Sequence, residues 1–234
     1  MRKILITFLL IFTIGHVSAQ IPKDTITLKH SAYTTLWSST LDYPLLVQWW
    51  NTKESCNCGT PIPRKGQFAA DPLLIKETNI QFEYEAANKS QRDKGLKVFD
   101  RGHMSPVADN QCSITDKGKK IPAEVLQKES FYFTNIAPQY HSLNAGDWKK
   151  LEERTRQLTS INDSIYVWCG SVGTQIILSG LAIPVKCWKV IYIKKTKTYE
   201  CYIFNNTPDK PVGLDKWKVT KEEVEKLTGF KFNL

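Results

Sequence analysis

Along most of the chain, apolar and polar positions follow one another in short runs that predict strands. Ala32-Tyr33-Thr34-Thr35-Leu36-Trp37 and Leu45-Leu46-Val47-Gln48-Trp49-Trp50 combine β-branched and aromatic residues in strand-length stretches, and Trp37, Trp49, Trp50, Trp168 and Trp188 are expected in the core. The segment from Cys56 to Gly66, with Pro61, Pro63 and two glycines, predicts a loop. Phe82-Glu83-Tyr84 leads into a polar stretch from Asn88 to Gly95. Leu96 to Phe99 then forms a short strand running directly into Asp100-Arg101-Gly102-His103. Ile121 to Ser130 predicts a short helix, with Pro122 suited to a first turn, and Phe131 to Ile136 a strand before a loop holding Pro138 and Gly146. From Asp147 to Leu158, Trp148, Leu151 and Leu158 fall on one side of an amphipathic helix. Runs 164–169, 174–178, 185–194 and 198–204 predict strands, and Thr220 to Leu227 a helix, with Thr220 and Glu223 at capping-box spacing.

Strands on both sides of a central strand-loop-helix unit imply an α+β fold with a mainly antiparallel sheet. No Gly-, Ser- or Pro-rich run divides the chain, so residues 20–234 are expected to form a single domain. Residues 1–19 have another purpose. Arg2 and Lys3 precede the apolar run Ile4 to Ile14, and Val17-Ser18-Ala19 places small residues where a signal peptidase cuts. That run is too short to span a bilayer, and no later segment is both long and charge-free enough. The expectation is a signal peptide, a secreted or periplasmic product, and no membrane contact after cleavage.

The chain has 234 residues, 41% hydrophobic and 24% charged, which is enough to bury a sizeable core and excludes disordered, collagenous and coiled-coil classes. Its formal net charge of +9 points toward polyanionic partners. All six cysteines follow the signal, and in an oxidising compartment an even number reads as disulfides, with a Cys187–Cys201 bridge among the possible pairings. Cys56-Asn57-Cys58 lacks the second pair of ligands that a structural zinc site needs.

Of four histidines, His16 leaves with the signal, so a catalytic imidazole must be His30, His103 or His141. His103 closes Asp100-Arg101-Gly102-His103 at a strand end, where an acid, a guanidinium and an imidazole come close together. Thr134-Asn135-Ile136-Ala137-Pro138-Gln139 and the downstream Asn144, Glu152 and Arg156 add amide oxygens, a carboxylate and a second guanidinium. Taken alone, Glu152 and Arg156 at i,i+4 read as an exposed ion pair, and Asn144 as a helix cap. Mg²⁺ keeps most of its water, so one neutral amide ligand is chemically adequate where phosphate oxygens complete the shell.

Together, DRGH (Asp100 to His103), FTNIAPQ (Phe133 to Gln139) and the array of Asn144, Glu152 and Arg156 resemble the DNA/RNA non-specific endonucleases, the ββα-metal family. The similarity is densest over residues 97–173. The resemblance implies a ββα-metal catalytic unit in which His103 is the general base and Asn144 the direct ligand of a hydrated Mg²⁺, or of Mn²⁺ in its place. Asn135 would hold water on the metal or orient the histidine, and Glu152 would organise water around the cation. Arg101 and Arg156 would face the phosphate, joined by Arg64, while Asp100 would play a supporting part. It further implies hydrolysis of DNA and RNA to 5′-phosphate ends. Two other readings remain at this point: a phosphodiesterase for nucleotides or small phosphate esters, and a non-catalytic secreted binding module on the same fold.

Overall fold

A computed structural model describes residues 22–56, 66–74, 79–114 and 119–234. The signal-peptide reading, Arg64 and Cys58 lie outside those residues. In chain order the elements are β1 (Thr25–Lys29), β2 (Thr34–Ser38), β3 (Tyr43–Thr52), α1 (Lys53–Cys56), α2 (Ile80–Asp93), β4 (Phe99–His103), β5 (Ser113–Ile114), β6 (Lys120–Ile121), α3 (Ala123–Ser130), β7 (Ile136–Tyr140), α4 (Lys149–Asn162), β8 (Ser164–Leu178), β9 (Leu181–Ile193), β10 (Thr198–Asn205), β11 (Lys218–Val219) and α5 (Lys221–Thr228).

Seven strands form one antiparallel sheet in the order β1-β2-β3-β8-β9-β10-β11. Its longest hairpin, β8–β9, turns through Ser179 and Gly180, both at positive φ (52° and 94°), the backbone that a two-residue connection between twisted strands requires. Strand alternation gives the sheet two apolar faces. Val47, Trp49, Ile165, Val167 and Ile191 pack against Leu151 and Leu158 of α4 and against Ala137 of β7. Trp168, Trp188 and Val190, on the other face, are covered by Val224 of α5 and by Phe232. A separate antiparallel ribbon, β4 with β7, lies with α4 on the first face and supplies the two strands and the helix of the ββα unit.

Several expectations need correction. The polar stretch from Asn88 belongs to α2, whose inward polar groups serve a neighbouring strand: Asn88 exchanges two hydrogen bonds with the Phe99 backbone (2.8 and 2.9 Å), and Gln91 donates to the Lys97 carbonyl. Phe131 to Ile136 is not a strand: Phe133–Asn135 is a 3₁₀ turn, and β7 begins at Ile136 and runs through Pro138. Proline is tolerated because it sits in a two-stranded ribbon, where an N–H directed away from the partner strand is dispensable. The runs at 164–169 and 174–178 are one strand, β8, irregular near Thr174.

Trp50 is 44% exposed while the other four expected core tryptophans are buried. Cys56, Cys169, Cys187 and Cys201 are free thiols, and Cys112 is disulfide-bonded. The Cys187–Cys201 bridge fails on register, since Cys187 faces Phe204 and Cys201 faces Val190, with the two thiols in clusters on opposite faces of the sheet. The capping box at Thr220 and Glu223 forms as expected. Among the described residues, no helix is long and apolar enough to cross a membrane.

Candidate active site

The DRGH tetrapeptide is itself β4, paired residue by residue with β7: Asp100 faces Gln139, Gly102 faces Ala137 and His103 faces Ile136. Gly102 is there for space, because a Cβ at that position would lie 2.0 Å from Gln139 Oε1. The His103 ring is nearly buried, with Phe131 edge-on at 5.0 Å between centroids and Phe68 at 5.5 Å. Its carbonyl accepts the Trp148 indole N–H at 3.1 Å, tying the end of β4 to the start of α4.

Asn135 is fully buried, and its amide is spent on backbone. Oδ1 accepts from Ser105 N–H at 2.9 Å, and Nδ2 donates to the carbonyls of Ser105 and Ser130 at 2.8 Å. These bonds fix the turn that follows His103. Arg101 donates from Nη2 to Gln81 Oε1 at 3.2 Å, with its guanidinium 4.9 Å from the Tyr84 ring centre and 5.4 Å from that of Phe68. Aromatic contacts on this scale hold a guanidinium without consuming its hydrogen-bonding edge.

Asn144 lies not in an open loop but in a wide π-type turn, Leu143–Trp148, that leads into α4. The turn is fastened from outside by Asp147, whose carboxylate accepts from Val212 N–H (2.8 Å), Trp217 Nε1 (2.9 Å) and Lys150 Nζ (3.0 Å). Burial opposes ionisation of Asp147, but those hydrogen bonds outweigh it and hold the carboxyl below its ordinary range. Asn144 Nδ2 donates to Asp100 Oδ2 at 2.9 Å, and His141 Nδ1 contacts the same oxygen at 2.8 Å. Asp100 thus settles which end of the Asn144 amide is free.

Arg101, His103, Asn144, Glu152 and Arg156 line one open cavity of about 650 Å³. Asp100 and Asn135 stand behind it as supports. Arg156 forms an ion pair with Asp109, its Nη1 lying 3.2 Å from Oδ1. Asp109 is fully buried, and Asn51 Nδ2 donates to its other oxygen at 3.1 Å. Burial pushes the Asp109 carboxyl above its usual value, against the pull of Arg156 and of Lys189. Lys189, on β9, is itself fully buried, with Nζ 4.6 Å from the Trp148 ring centre. The sequence reading passed over Asp109 and Lys189; the signal was an acid ending the otherwise apolar Val107-Ala108-Asp109 and a lysine inside the strand Cys187-Trp188-Lys189-Val190.

A cation fits this donor set. With Nδ2 committed to Asp100, Asn144 keeps Oδ1, a hard neutral oxygen, for the cavity that Glu152 also lines. Among the described residues no group of three His, Cys, Asp or Glu forms a ligand cluster, which leaves water and phosphate oxygens to complete a shell around such an ion.

A family model described as DNA/RNA non-specific endonuclease matches residues 13–234. The chain belongs to that family. The Serratia marcescens nuclease is 31% identical over 214 residues, covering 85% of this chain and 71% of its own. Human mitochondrial endonuclease G is 26% identical over 175 residues, 67% of this chain and 54% of its own, so the chain spans about half the length of that relative. In fold, it is similar to a chain of the crystal structure of an EndoG/EndoGI complex (TM-score 0.70, 23% identity, 88% of this chain and 84% of the other). As a member of the family the protein is a metal-dependent endonuclease acting on nucleic acid.

Proposed function

We propose that the protein is a secreted, Mg²⁺-dependent nuclease that hydrolyses DNA and RNA alike, with His103 as general base and Asn144 as the protein's one direct metal ligand. The observation that carries this reading is the convergence of His103 and the oriented Asn144 on one cavity with Arg101, Glu152 and Arg156. Neutral imidazole has the proton affinity to take a proton from water near neutral pH. As that water oxygen bonds to phosphorus, the bond from phosphorus to the 3′ oxygen breaks, and the departing oxygen takes a proton from a second water, leaving a 5′-phosphate and a 3′-hydroxyl. Arg101 and Arg156 meet the negative charge that grows on the phosphate oxygens. A bound Mg²⁺, or Mn²⁺, supplies charge neutralisation at the scissile phosphate. Asn135 and Asp100 act at one remove, the first on the turn after His103 and the second on the Asn144 amide.

Plasmid and RNA digestion with and without EDTA, on wild type beside His103→Ala and Asn144→Ala, tests the assignment. Loss of both activities in His103→Ala with an unchanged melt supports it; digestion by that variant at the wild-type rate overturns it. Turnover of bis(p-nitrophenyl) phosphate without plasmid nicking would replace a nuclease with a small-ester phosphodiesterase. We further propose that residues 20–234 act as one domain after signal cleavage; a secreted product whose N-terminal sequence begins at Gln20 supports that, and a retained leader contradicts it.

A further inference from the structure

Resting on the endonuclease reading, we propose that the groove beside Trp50 is a second substrate contact, in which the indole stacks on an unpaired base of the same strand that is cut at His103. Trp50 follows the buried Trp49 on β3 and points to the opposite face of the sheet. That face is covered over Trp168 and Trp188 but left open at Trp50, which stays 44% exposed. An indole this exposed in a regular strand offers a large apolar surface to a ligand.

Its position is fixed. Tyr166, directly across the ladder, meets it edge-on at 4.9 Å between centroids, and Lys194 Nζ lies 5.5 Å from the ring centre. A ring held before the ligand arrives loses little freedom on stacking, and aromatic platforms flanked by cations are how single-stranded nucleic acid is bound without sequence preference. Beside Trp50 opens a cavity of about 470 Å³, lined also by Thr52, Glu54, Ser55, Asn110 and Lys120. That volume lies within the range of small-molecule sites and accommodates a base with its sugar. Lys120 and Lys194 are available to backbone phosphates, and Glu54 is the one acid among the described lining residues.

The two cavities share a wall. Cys56 and Gln111 line the catalytic one, and their chain neighbours Ser55, Asn110 and Cys112 line the other. The Ser55 carbonyl accepts N–H bonds from Gln111 (2.9 Å) and Cys112 (3.2 Å), which makes this wall a hydrogen-bonded ridge. A strand leaving the catalytic cavity over that ridge arrives at Trp50. Bases inside a duplex have both faces stacked already, so the groove selects for unpaired segments.

The test compares Trp50→Ala and Trp50→Phe with wild type on a single-stranded 12-mer, a trinucleotide and a blunt 12-base-pair duplex, in Mg²⁺ at fixed ionic strength. Expected is a rise in KM of about tenfold for Trp50→Ala on the single-stranded 12-mer, with rescue by Trp50→Phe and a much smaller change on the other two substrates. Melting curves confirm that the variants are folded. A 12-mer KM equal to wild type overturns the proposal, as does an equal rise on the duplex, which would make the groove a backbone contact. Fluorescence anisotropy of a labelled 12-mer, with His103→Ala compared with the His103→Ala/Trp50→Ala double variant, reads binding without cleavage. If wild type cuts nothing, the endonuclease reading fails while this binding arm still decides the role of Trp50.

Discussion

Arg156 reaches into the cavity from α4 but is anchored by Asp109, a buried carboxylate on the segment after β4, at 3.2 Å. The geometry makes Asp109 a positioning residue whose loss frees the guanidinium. Asp109→Asn is expected to lower kcat by about tenfold while leaving the melt within a few degrees, because asparagine keeps the shape and one acceptor. A group whose pKa is raised on folding protonates at a higher pH than an exposed aspartate. The acid limb of the wild-type rate profile should therefore carry a contribution from Asp109 on the high-pH side of the range where exposed aspartates titrate, absent in the variant. Steady-state kinetics between pH 4 and 8 check both statements.

Gly102 leaves room for Gln139, and any side chain there must displace a fully buried amide. Gly102→Ala is expected to cost about 1–3 kcal/mol of stability by overpacking and to misplace His103 on the next residue of β4. Gly102→Ala combined with Gln139→Ala should recover part of the melt. Differential scanning calorimetry of the three proteins measures it; an additive double variant would show that the two positions do not meet.

Asp147 fastens the Asn144 turn to the backbone at Val212 and Gly213 and to the Trp217 indole. Its carboxyl is held below the ordinary 3.8, so the stabilisation it provides is fully present above that value and is lost as pH falls through the lower, folded one. Urea unfolding at pH 7 and pH 3 should show a pH-dependent loss in wild type that is smaller in Asp147→Asn. The variant itself should be destabilised at pH 7 by about 1–3 kcal/mol, since its neutral amide cannot replace charged hydrogen bonds.

The buried thiols should be inert. Burial pushes Cys169 and Cys201 up to about 12 and Cys187 up to about 11, far from thiolate formation at neutral pH. Burial, with Asp109 adding to it, does the same to Cys56, up to about 12, although Cys56 lines the catalytic cavity. In an Ellman titration of the native enzyme at pH 7.5, Cys169, Cys187 and Cys201 should stay silent until denaturant is added. Rapid labelling of any of the three in the folded state would contradict the packing described.

How much was legible in the sequence depended on whether a residue's partner lay within its own segment. The amphipathic helix carrying Glu152 and Arg156 and the Thr220–Glu223 capping box are local and were read correctly. The convergence of His103 with Asn144 came from recognising motifs, since nothing in the intervening forty residues specifies it. What escaped was non-local polar pairing. Asn88 and Gln91 read only as part of a polar stretch because their partners are backbone groups of Phe99 and Lys97. Asp109 looked unremarkable because Asn51 and Arg156 lie far from it along the chain. Trp50 was assigned to the core on residue type, and only the arrangement of α5 over part of the sheet reveals it as surface.

Asn206 donates to the carbonyls of Pro138 and Pro184 and accepts from Tyr140 N–H, locking the β7 edge of the catalytic ribbon onto the large sheet. This clasp and the one at Asp147 are both closed by residues translated after 205, whereas every candidate catalytic residue precedes 157. During synthesis, then, the reactive groups emerge from the ribosome well before the parts that hold them in register. A chain interrupted at 200 would carry every candidate catalytic residue on a ribbon that lacks both clasps.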